Sequence, residues 1–273
     1  MKFCGIYASD HRHMKCAVAA ACPVCLTPEE RTRGRVGLGY YSGDEVLLMR
    51  RPVGPDMGVQ QLLGPAMGNH VLVGFEEGLA SQFRLENTPP LRFRNYLGLL
   101  SIGPVRCKDF ASRLLFHVPD YLARDIRTDT PADLLFHLFL SYVHDLGRID
   151  AKTMPAPLLM DAVRSTILLL PKLLDAPAPP PVALCVTNGQ HMVAVAYGTD
   201  LWMRVMDGIT NCPDCSEPDR RIDHDARMVS HPEVKVVAFA HVEDTEPPPG
   251  FAPVPARQVV GATEAGEVLS RSM

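Results

Sequence analysis

Residues 71–93 read V-L-V-G-F-E-E-G-L-A-S-Q-F-R-L-E-N-T-P-P-L-R-F. The first five are apolar apart from one glycine, a pattern typical of a buried β-strand. The later part contains Asn87-Thr88-Pro89-Pro90. The stretch therefore predicts a buried strand at residues 71–75, and the other predicted elements lie on either side of it.

Further strands are predicted from short apolar runs that are bounded by turn residues. Ser42-Gly43-Asp44 predicts the turn of one hairpin, and Asn188-Gly189 predicts the turn of another. The predicted strands are residues 4–7, 36–41, 45–49, 71–75, 96–102, 182–187, 191–196, 201–205, 234–241 and 258–261.

Two long helices are predicted between the two groups of strands. Thr130 suits an N-cap, Pro131 the first helical position and Asp133 the end of the first turn. Residues 134–140 are apolar nearly all round, which indicates a helix buried on more than one face, and residues 158–174 form the second helix. Strands, then two helices, then more strands predict layered α+β packing.

Length and composition limit the class of protein. The chain has 273 residues, is 47% hydrophobic and carries a formal net charge of −4. These values indicate a packed globular protein, and the lack of any block of like charges argues against a nucleic acid or an anionic membrane as partner. No apolar run reaches the ~18 residues that a membrane span needs. The N-terminus turns polar too early for a signal peptide, so we expect a cytoplasmic protein.

The domain organisation is predicted to be simple. We expect one domain over residues 1–273, because no internal repeat and no long linker interrupts the chain. Residues 176–181 are a proline-rich connector within this domain. Residues 243–273 are a proline-rich C-terminal tail that ends in a strand.

Residues 71–93 resemble the core of the class II glutamine amidotransferases. In that family the segment carries His-x-Arg and then Asn-Thr-His-Pro-Phe. This chain has Gly74, Glu76 and Pro89 where the family has the first His, the Arg and the second His. Residues 37–41, Gly-Leu-Gly-Tyr-Tyr, resemble a further strand of the family. The resemblance extends over roughly residues 1–261 and implies a four-layer αββα sandwich of the N-terminal nucleophile hydrolase type.

The family hydrolyses glutamine, and the groups that carry this chemistry are changed here. A Cys directly after the initiator Met is its nucleophile, an Arg binds the substrate carboxylate and an Asn-Gly pair forms the oxyanion hole. This chain has Lys2 after Met1, and the resemblance makes Cys4 the nucleophile only after N-terminal processing. The remaining pocket implied by the resemblance is degenerate. It consists of Lys2, Gly74, Glu76, Asn87, Pro89, Ser101 and Asp129.

The cysteines suggest a metal site that is separate from this pocket. Two C-x-x-C pairs occur in the chain, and four thiolates from two such pairs form a common tetrahedral zinc site. The alternative is a set of reduced thiols on loops. His11, His13 and Cys16 lie near the first pair, where one of them could contribute a ligand, but a solvated polar loop is the preferred interpretation. The predicted ligands of a structural zinc ion are Cys22, Cys25, Cys212 and Cys215.

Three functions remain open from the sequence. The leading hypothesis is an inactive amidotransferase-like protein that acts as a binding, scaffolding or regulatory subunit with a protein partner or an active relative. Its degenerate pocket would hold a small molecule, and Glu76 favours a cationic or amine ligand. The first alternative is an active cysteine amidohydrolase that uses a processed Cys4. The second is a zinc-stabilised interaction module.

Overall fold

A computed structural model shows how these elements pack. It describes residues 1–22, 34–52, 68–77, 86, 88–105, 107–128, 130–151, 153–215, 229–242 and 246–273. Within these residues the chain forms a seven-stranded sheet, here sheet A, and a six-stranded sheet, here sheet B.

Sheet A contains the N-terminal strand in a central position. Its strands are β1 (Lys2–Ala8), β2 (Gly34–Ser42), β3 (Glu45–Pro52), β4 (His70–Glu77), β9 (Trp202–Ile209), β10 (His231–His241) and β11 (Ala252–Pro253). Their order across the sheet is β11-β9-β10-β1-β4-β2-β3, so β1 has a neighbour on each side. Both neighbours are antiparallel to β1.

Sheet B is assembled from the second half of the chain and one earlier hairpin. Its strands are β5 (Leu91–Phe93), β6 (Tyr96–Ile102), β7 (Val182–Thr187), β8 (Met192–Tyr197), β12 (Gln258–Ala262) and β13 (Val268–Ser272). Their order is β13-β12-β8-β7-β6-β5. The C-terminal strands β12 and β13 lie at the edge opposite to β5.

The helices cover the outer faces of the two sheets. They are α1 (Met14–Ala21), α2 (Cys107–Leu114), α3 (Asp120–Ala123), α4 (Pro131–Asp145) and α5 (Ala156–Leu174). Helix α1 packs on sheet A, whereas α4 and α5 pack on sheet B. The predicted αββα sandwich is thereby confirmed. None of the helices in the described ranges is both long and apolar enough to cross a membrane.

The local signals read from the sequence explain several elements. The Thr130 side chain accepts a hydrogen bond from the backbone N–H of Asp133, which confirms the predicted N-cap of α4. Gly43 has a φ of 60°, as the turn between β2 and β3 requires. Asn188 Oδ1 accepts hydrogen bonds from the backbone N–H groups of Gln190 and His191, and so closes the loop between β7 and β8.

One prediction about the N-terminal region is wrong. Cys16 does not lie in a solvated polar loop, because residues 14–21 form helix α1 and the Cys16 side chain is buried. Apolar residues on one side of this short helix pack against β1. Burial of that face stabilises a helix that is too short to be stable in isolation.

Candidate functional site

Cys4, the predicted nucleophile, is a core residue of strand β1. It lies opposite Ala240 of β10 and Val73 of β4, and its side chain is fully buried. Successive side chains of a strand point to opposite faces. Cys4 and Val73 belong to the cluster beneath α1, whereas Phe3 belongs to the core between the two sheets. The thiol of Cys4 therefore faces the outer helix and not the space between the sheets.

Gly74, by contrast, faces the space between the sheets. A Cβ atom placed on Gly74 would lie 2.8 Å from Cδ2 of Leu99 and 3.1 Å from Cγ of Pro89. These distances are shorter than ordinary van der Waals contact, so Leu99 and Pro89 fill the position where a side chain would stand. The structure thus brings Gly74 and Pro89 together, as the sequence suggests, but places Cys4 on the opposite face of the sheet.

Pro89 also contacts the neighbouring strand β2. A Cβ atom on Gly37 would overlap the carbonyl oxygen of Pro89 and would lie 2.8 Å from its carbonyl carbon. The Pro89-Pro90 segment consequently packs directly against glycine residues of sheet A. The sequence identifies the glycines of residues 37–41 as part of the resemblance. It does not predict that the backbone of Pro89 packs against Gly37.

Glu76 makes an ion pair with Arg35, the residue opposite it in the β2–β4 ladder. Arg35 Nη2 lies 2.5 Å and Nε 2.6 Å from Glu76 Oε2, and both side chains are about three-quarters buried. The arginine balances the charge from which a cationic ligand was inferred. Arg35 was not predicted to take part in the site.

The remaining residues of the predicted pocket are dispersed or lie outside the described ranges. Lys2 is buried and stands opposite Phe75 in the β1–β4 ladder. Ser101 lies near the end of β6, opposite Ala183, and is half-buried. Asn87 and Asp129 lie outside the described residues. The structure therefore assembles no catalytic constellation around Cys4 from the residues that it describes.

A second cluster lies where α1 meets the end of β9 and the start of β10. Ligand atoms of Cys16, Cys212, Cys215 and His231 all lie within 4.8 Å of one another, so the described part of the chain contains a group that can hold a metal ion. Cys22, the C-cap residue of α1, is buried but does not belong to this group. Cys25 lies outside the described residues.

The electrostatics of this cluster favour neutral ligands when no cation is present. Burial raises the pKa of the Cys16 thiol, and the nearby Cys212 and Cys215 raise it further. Burial also lowers the pKa of His231, with a contribution from His13. A bound divalent cation reverses this preference, because it stabilises thiolates directly.

An open cavity of about 480 Å³ lies between the edge strands β3 and β5 and the start of α4. Arginine and acidic side chains dominate its polar lining, with Leu48, Leu91, Phe93 and Phe136 as the apolar part. Arg94 forms an ion pair with Asp150, and Arg127 Nη2 lies 3.6 Å from Asp125 Oδ1. The charged and titratable lining residues are Arg50, Arg92, Arg94, Arg127, Glu86, Asp125, Asp133 and His137.

His137 lies at the inner wall of this cavity. Its Nδ1 lies 3.1 Å from Asp133 Oδ1. Its buried Nε2 lies 3.8 Å from Asp125 Oδ2 and has no hydrogen-bond partner in the part of the chain that the structure describes. Burial lowers the pKa of His137, but the hydrogen bonds and charge of Asp133 outweigh it, so the pKa is raised. Asp133 in turn accepts hydrogen bonds from the backbone and hydroxyl of Thr128.

Comparison with known proteins identifies the fold. No protein-family model matches the chain, and no curated protein matches it. A glutamine aminotransferase class-II domain protein from Silicibacter pomeroyi superposes with a TM-score of 0.58 at 12% identity, covering 100% of this chain and 99% of that one. A predicted glutamine amidotransferase from Pseudomonas aeruginosa gives a TM-score of 0.55 at 13% identity, with 99% and 95% coverage.

A longer enzyme shares the same architecture. Glutamine phosphoribosylpyrophosphate amidotransferase from B. subtilis superposes with a TM-score of 0.57 at 11% identity. The match covers 100% of this chain and 49% of that one. The chain therefore has the four-layer fold of class II glutamine amidotransferase domains, which is of the N-terminal nucleophile hydrolase type. Identities of 11–13% establish a shared fold and no shared activity.

Proposed function

We propose that this chain is a catalytically inactive protein of the amidotransferase fold that acts by binding and not by hydrolysis. The observation that carries the proposal is the orientation of Cys4. Its buried thiol faces α1, whereas Gly74 and Pro89 face the space between the sheets. An N-terminal nucleophile needs its thiol and its own α-amine at one accessible position.

Processing that exposed the amine of Cys4 would also damage the core. It would remove Lys2, which pairs with β4, and Phe3, which pairs with both β4 and β10. Phe3 is 1% exposed and lies in the core between the sheets. Loss of a buried phenylalanine side chain alone costs about 3–5 kcal/mol. The processed enzyme is therefore the weaker of the two interpretations.

The proposal is tested by glutamine hydrolysis. Purified wild-type protein and a Cys4→Ala variant are incubated with glutamine, and released glutamate is measured against a matched active amidotransferase. We expect no release above the Cys4→Ala background. Release by the wild type that the variant abolishes would overturn the proposal.

The ligand that we propose is a small anion in the cavity between β3 and β5. Among the described residues, the cavity is lined by the guanidinium groups of Arg50, Arg92, Arg94 and Arg127 and by the carboxylates of Glu86, Asp125 and Asp133. A partly buried excess of guanidinium groups favours carboxylate or phosphate ligands. We propose this anionic ligand in place of the cationic ligand expected from Glu76, because Glu76 forms an ion pair with Arg35.

Calorimetry with citrate and inorganic phosphate as probes tests this ligand class. Arg92→Ala removes an exposed lining guanidinium, and Arg51→Ala removes an exposed arginine of β3 that does not line the cavity. We expect Arg92→Ala to weaken anion binding and Arg51→Ala to leave it unchanged. Equal binding by both variants would contradict the assignment.

We also propose that the protein has a protein partner. Phe116 is 91% exposed and its neighbour Leu115 is 45% exposed, in the short turn between α2 and α3. Large apolar side chains exposed together favour a protein contact. Affinity purification with wild-type and Phe116→Ser baits tests this, and a partner retained equally by both would exclude this turn from the interface.

A further inference from the structure

The cluster of Cys16, Cys212, Cys215 and His231 joins three separate elements. Cys16 lies in α1, Cys212 and Cys215 follow β9, and His231 is the first residue of β10. Cys16 and Cys212 are buried, whereas Cys215 is exposed. The cluster therefore lies mostly buried in the outer layer, and its exposed cysteine gives an ion a route of entry from solvent.

The distances within the cluster suit one tetrahedral ion. Zinc binds thiolates at about 2.3 Å and imidazole nitrogens at about 2.0–2.1 Å, so tetrahedral ligand atoms lie roughly 3.5–3.8 Å apart. Cys16 Sγ lies 3.6 Å from Cys215 Sγ, and all four ligand atoms lie within 4.8 Å of one another. A small contraction of the cluster would complete the coordination sphere.

The histidine of the cluster carries an independent sign of a missing partner. His231 Nε2 is buried and has no hydrogen-bond partner among the described residues, while the His231 ring packs against the His13 ring with centroids 4.3 Å apart. A buried polar atom without a partner is costly and calls for an explanation such as a bound ion. Coordination of an ion through Nε2 would remove that cost.

We propose that Cys16, Cys212, Cys215 and His231 bind one zinc ion as a closed structural site. Three thiolates and one imidazole satisfy tetrahedral zinc, which leaves no position for a reacting water. The site is distinct from the amidotransferase-type pocket and from the set predicted by the two C-x-x-C pairs, of which it keeps the second pair.

The role of this ion is to fasten α1 to the β9–β10 corner. Helix α1 has eight residues, and beyond its packing on β1 it is held to β9 by a hydrogen bond from Arg204 Nη1 to the carbonyl oxygen of Ala20 at 2.8 Å. An ion that binds only the folded arrangement stabilises it by mass action. Metal removal should therefore loosen α1 more than the two sheets.

A set of variants distinguishes this zinc site from the alternative site formed by the two C-x-x-C pairs. Zinc per chain is measured in purified full-length protein by mass spectrometry of the metal, together with the wild-type Co²⁺ absorption spectrum. We expect about one zinc per chain in the wild type and in Cys22→Ser/Cys25→Ser. We expect Cys16→Ser and His231→Ala each to lower zinc affinity by at least about 100-fold, because even outer partners of ligands contribute 10–100-fold.

Two results would overturn the proposal. One is loss of zinc from Cys22→Ser/Cys25→Ser with retention in Cys16→Ser, which would restore the pairing of the two C-x-x-C motifs. The other is a wild-type chain without stoichiometric zinc, whether its thiols are reduced or a Cys16–Cys215 disulfide has formed. The Co²⁺ spectrum of the wild type keeps the test decisive if a variant fails to fold. The absorptivity of the thiolate-to-cobalt band rises with the number of thiolate ligands, which is three in this site and four in a site formed by the two C-x-x-C pairs.

Discussion

Replacement of Gly37 by alanine tests the seating of the Pro89-Pro90 segment on sheet A. The added methyl group would overlap the carbonyl oxygen of Pro89 and lie 2.8 Å from its carbonyl carbon and 3.2 Å from Cδ of Pro90. Ordinary contacts begin at 3.4 Å. The obstacle is backbone, which cannot rotate away as a flexible side chain can, so the segment or strand β2 must shift.

The expected loss of stability can be bounded. Overpacking of this kind costs about 1–3 kcal/mol or more, and the lower chain entropy of alanine in the unfolded state returns about 0.4–1 kcal/mol. We expect a net loss of about 2 kcal/mol, which for a chain of this size lowers Tm by roughly 3–4 °C. Urea denaturation followed by circular dichroism measures the free energy of unfolding directly.

Gly261→Ala is the matched control. Gly261 lies in β12, and a Cβ atom there would meet its nearest neighbours at 3.4–3.5 Å, which is ordinary contact. This variant should be neutral or slightly stabilised. If Gly37→Ala unfolds with the same free energy as Gly261→Ala, within about 0.5 kcal/mol, the Pro89 segment does not rest on β2 and the account of a filled pocket fails.

Three further predictions concern buried groups. Burial lowers the pKa of His70 to about 3 in the folded protein. Because the unfolded chain binds the proton more readily, the free energy of unfolding should fall by up to about 1.4 kcal/mol per pH unit as pH drops from 6.5 toward 3. His70→Gln should flatten that acid limb in urea titrations, and an unchanged slope would refute the assignment. A double-mutant cycle with Arg35→Gln and Glu76→Gln should give a coupling of up to about 1 kcal/mol, since the pair is only partly buried, and additive effects would deny the ion pair. Native protein treated with iodoacetamide should remain unlabelled at Cys4 by peptide mapping; rapid labelling would mean that the thiol is accessible.

The parts of the fold that the sequence predicts are those with local causes. Thr130 caps α4 because its side chain and the following Pro131 and Asp133 act within one turn. The hairpin at Gly43 follows from the backbone conformation that the turn requires. Strand β6 is predicted with its observed bounds because the run 96–102 is apolar and ends at glycine.

The parts that the sequence does not predict depend on tertiary contacts. Helix α1 has eight residues and is stabilised by packing on β1, so the sequence alone does not predict it. The direction of the Cys4 side chain depends on the register of β1 between β4 and β10. The resemblance implies that Cys4 and Gly74 line the same pocket. Because successive side chains of a strand alternate between the faces of the sheet, the two residues lie on opposite faces of sheet A.

The metal cluster illustrates the same limit. The C-x-x-C spacing draws attention to Cys22 and Cys25, but the residues after β9 bring Cys212 and Cys215 to Cys16 in the first turn of α1 and not to its C-terminal end. His231 becomes a neighbour only because β10 begins beside that loop, as the hydrogen bond from Cys212 N–H to the carbonyl oxygen of Val229 at 2.7 Å indicates. The spacing therefore identifies Cys212 and Cys215, whereas tertiary contacts supply Cys16 and His231.

The central claim is that Cys4 is a structural core residue and not a nucleophile. The most direct test is the intact mass of the purified native protein, combined with its rate of glutamate release from glutamine. The account predicts a chain that retains residues 2 and 3 and releases no glutamate above the Cys4→Ala background. A chain that begins at Cys4 and hydrolyses glutamine would contradict it.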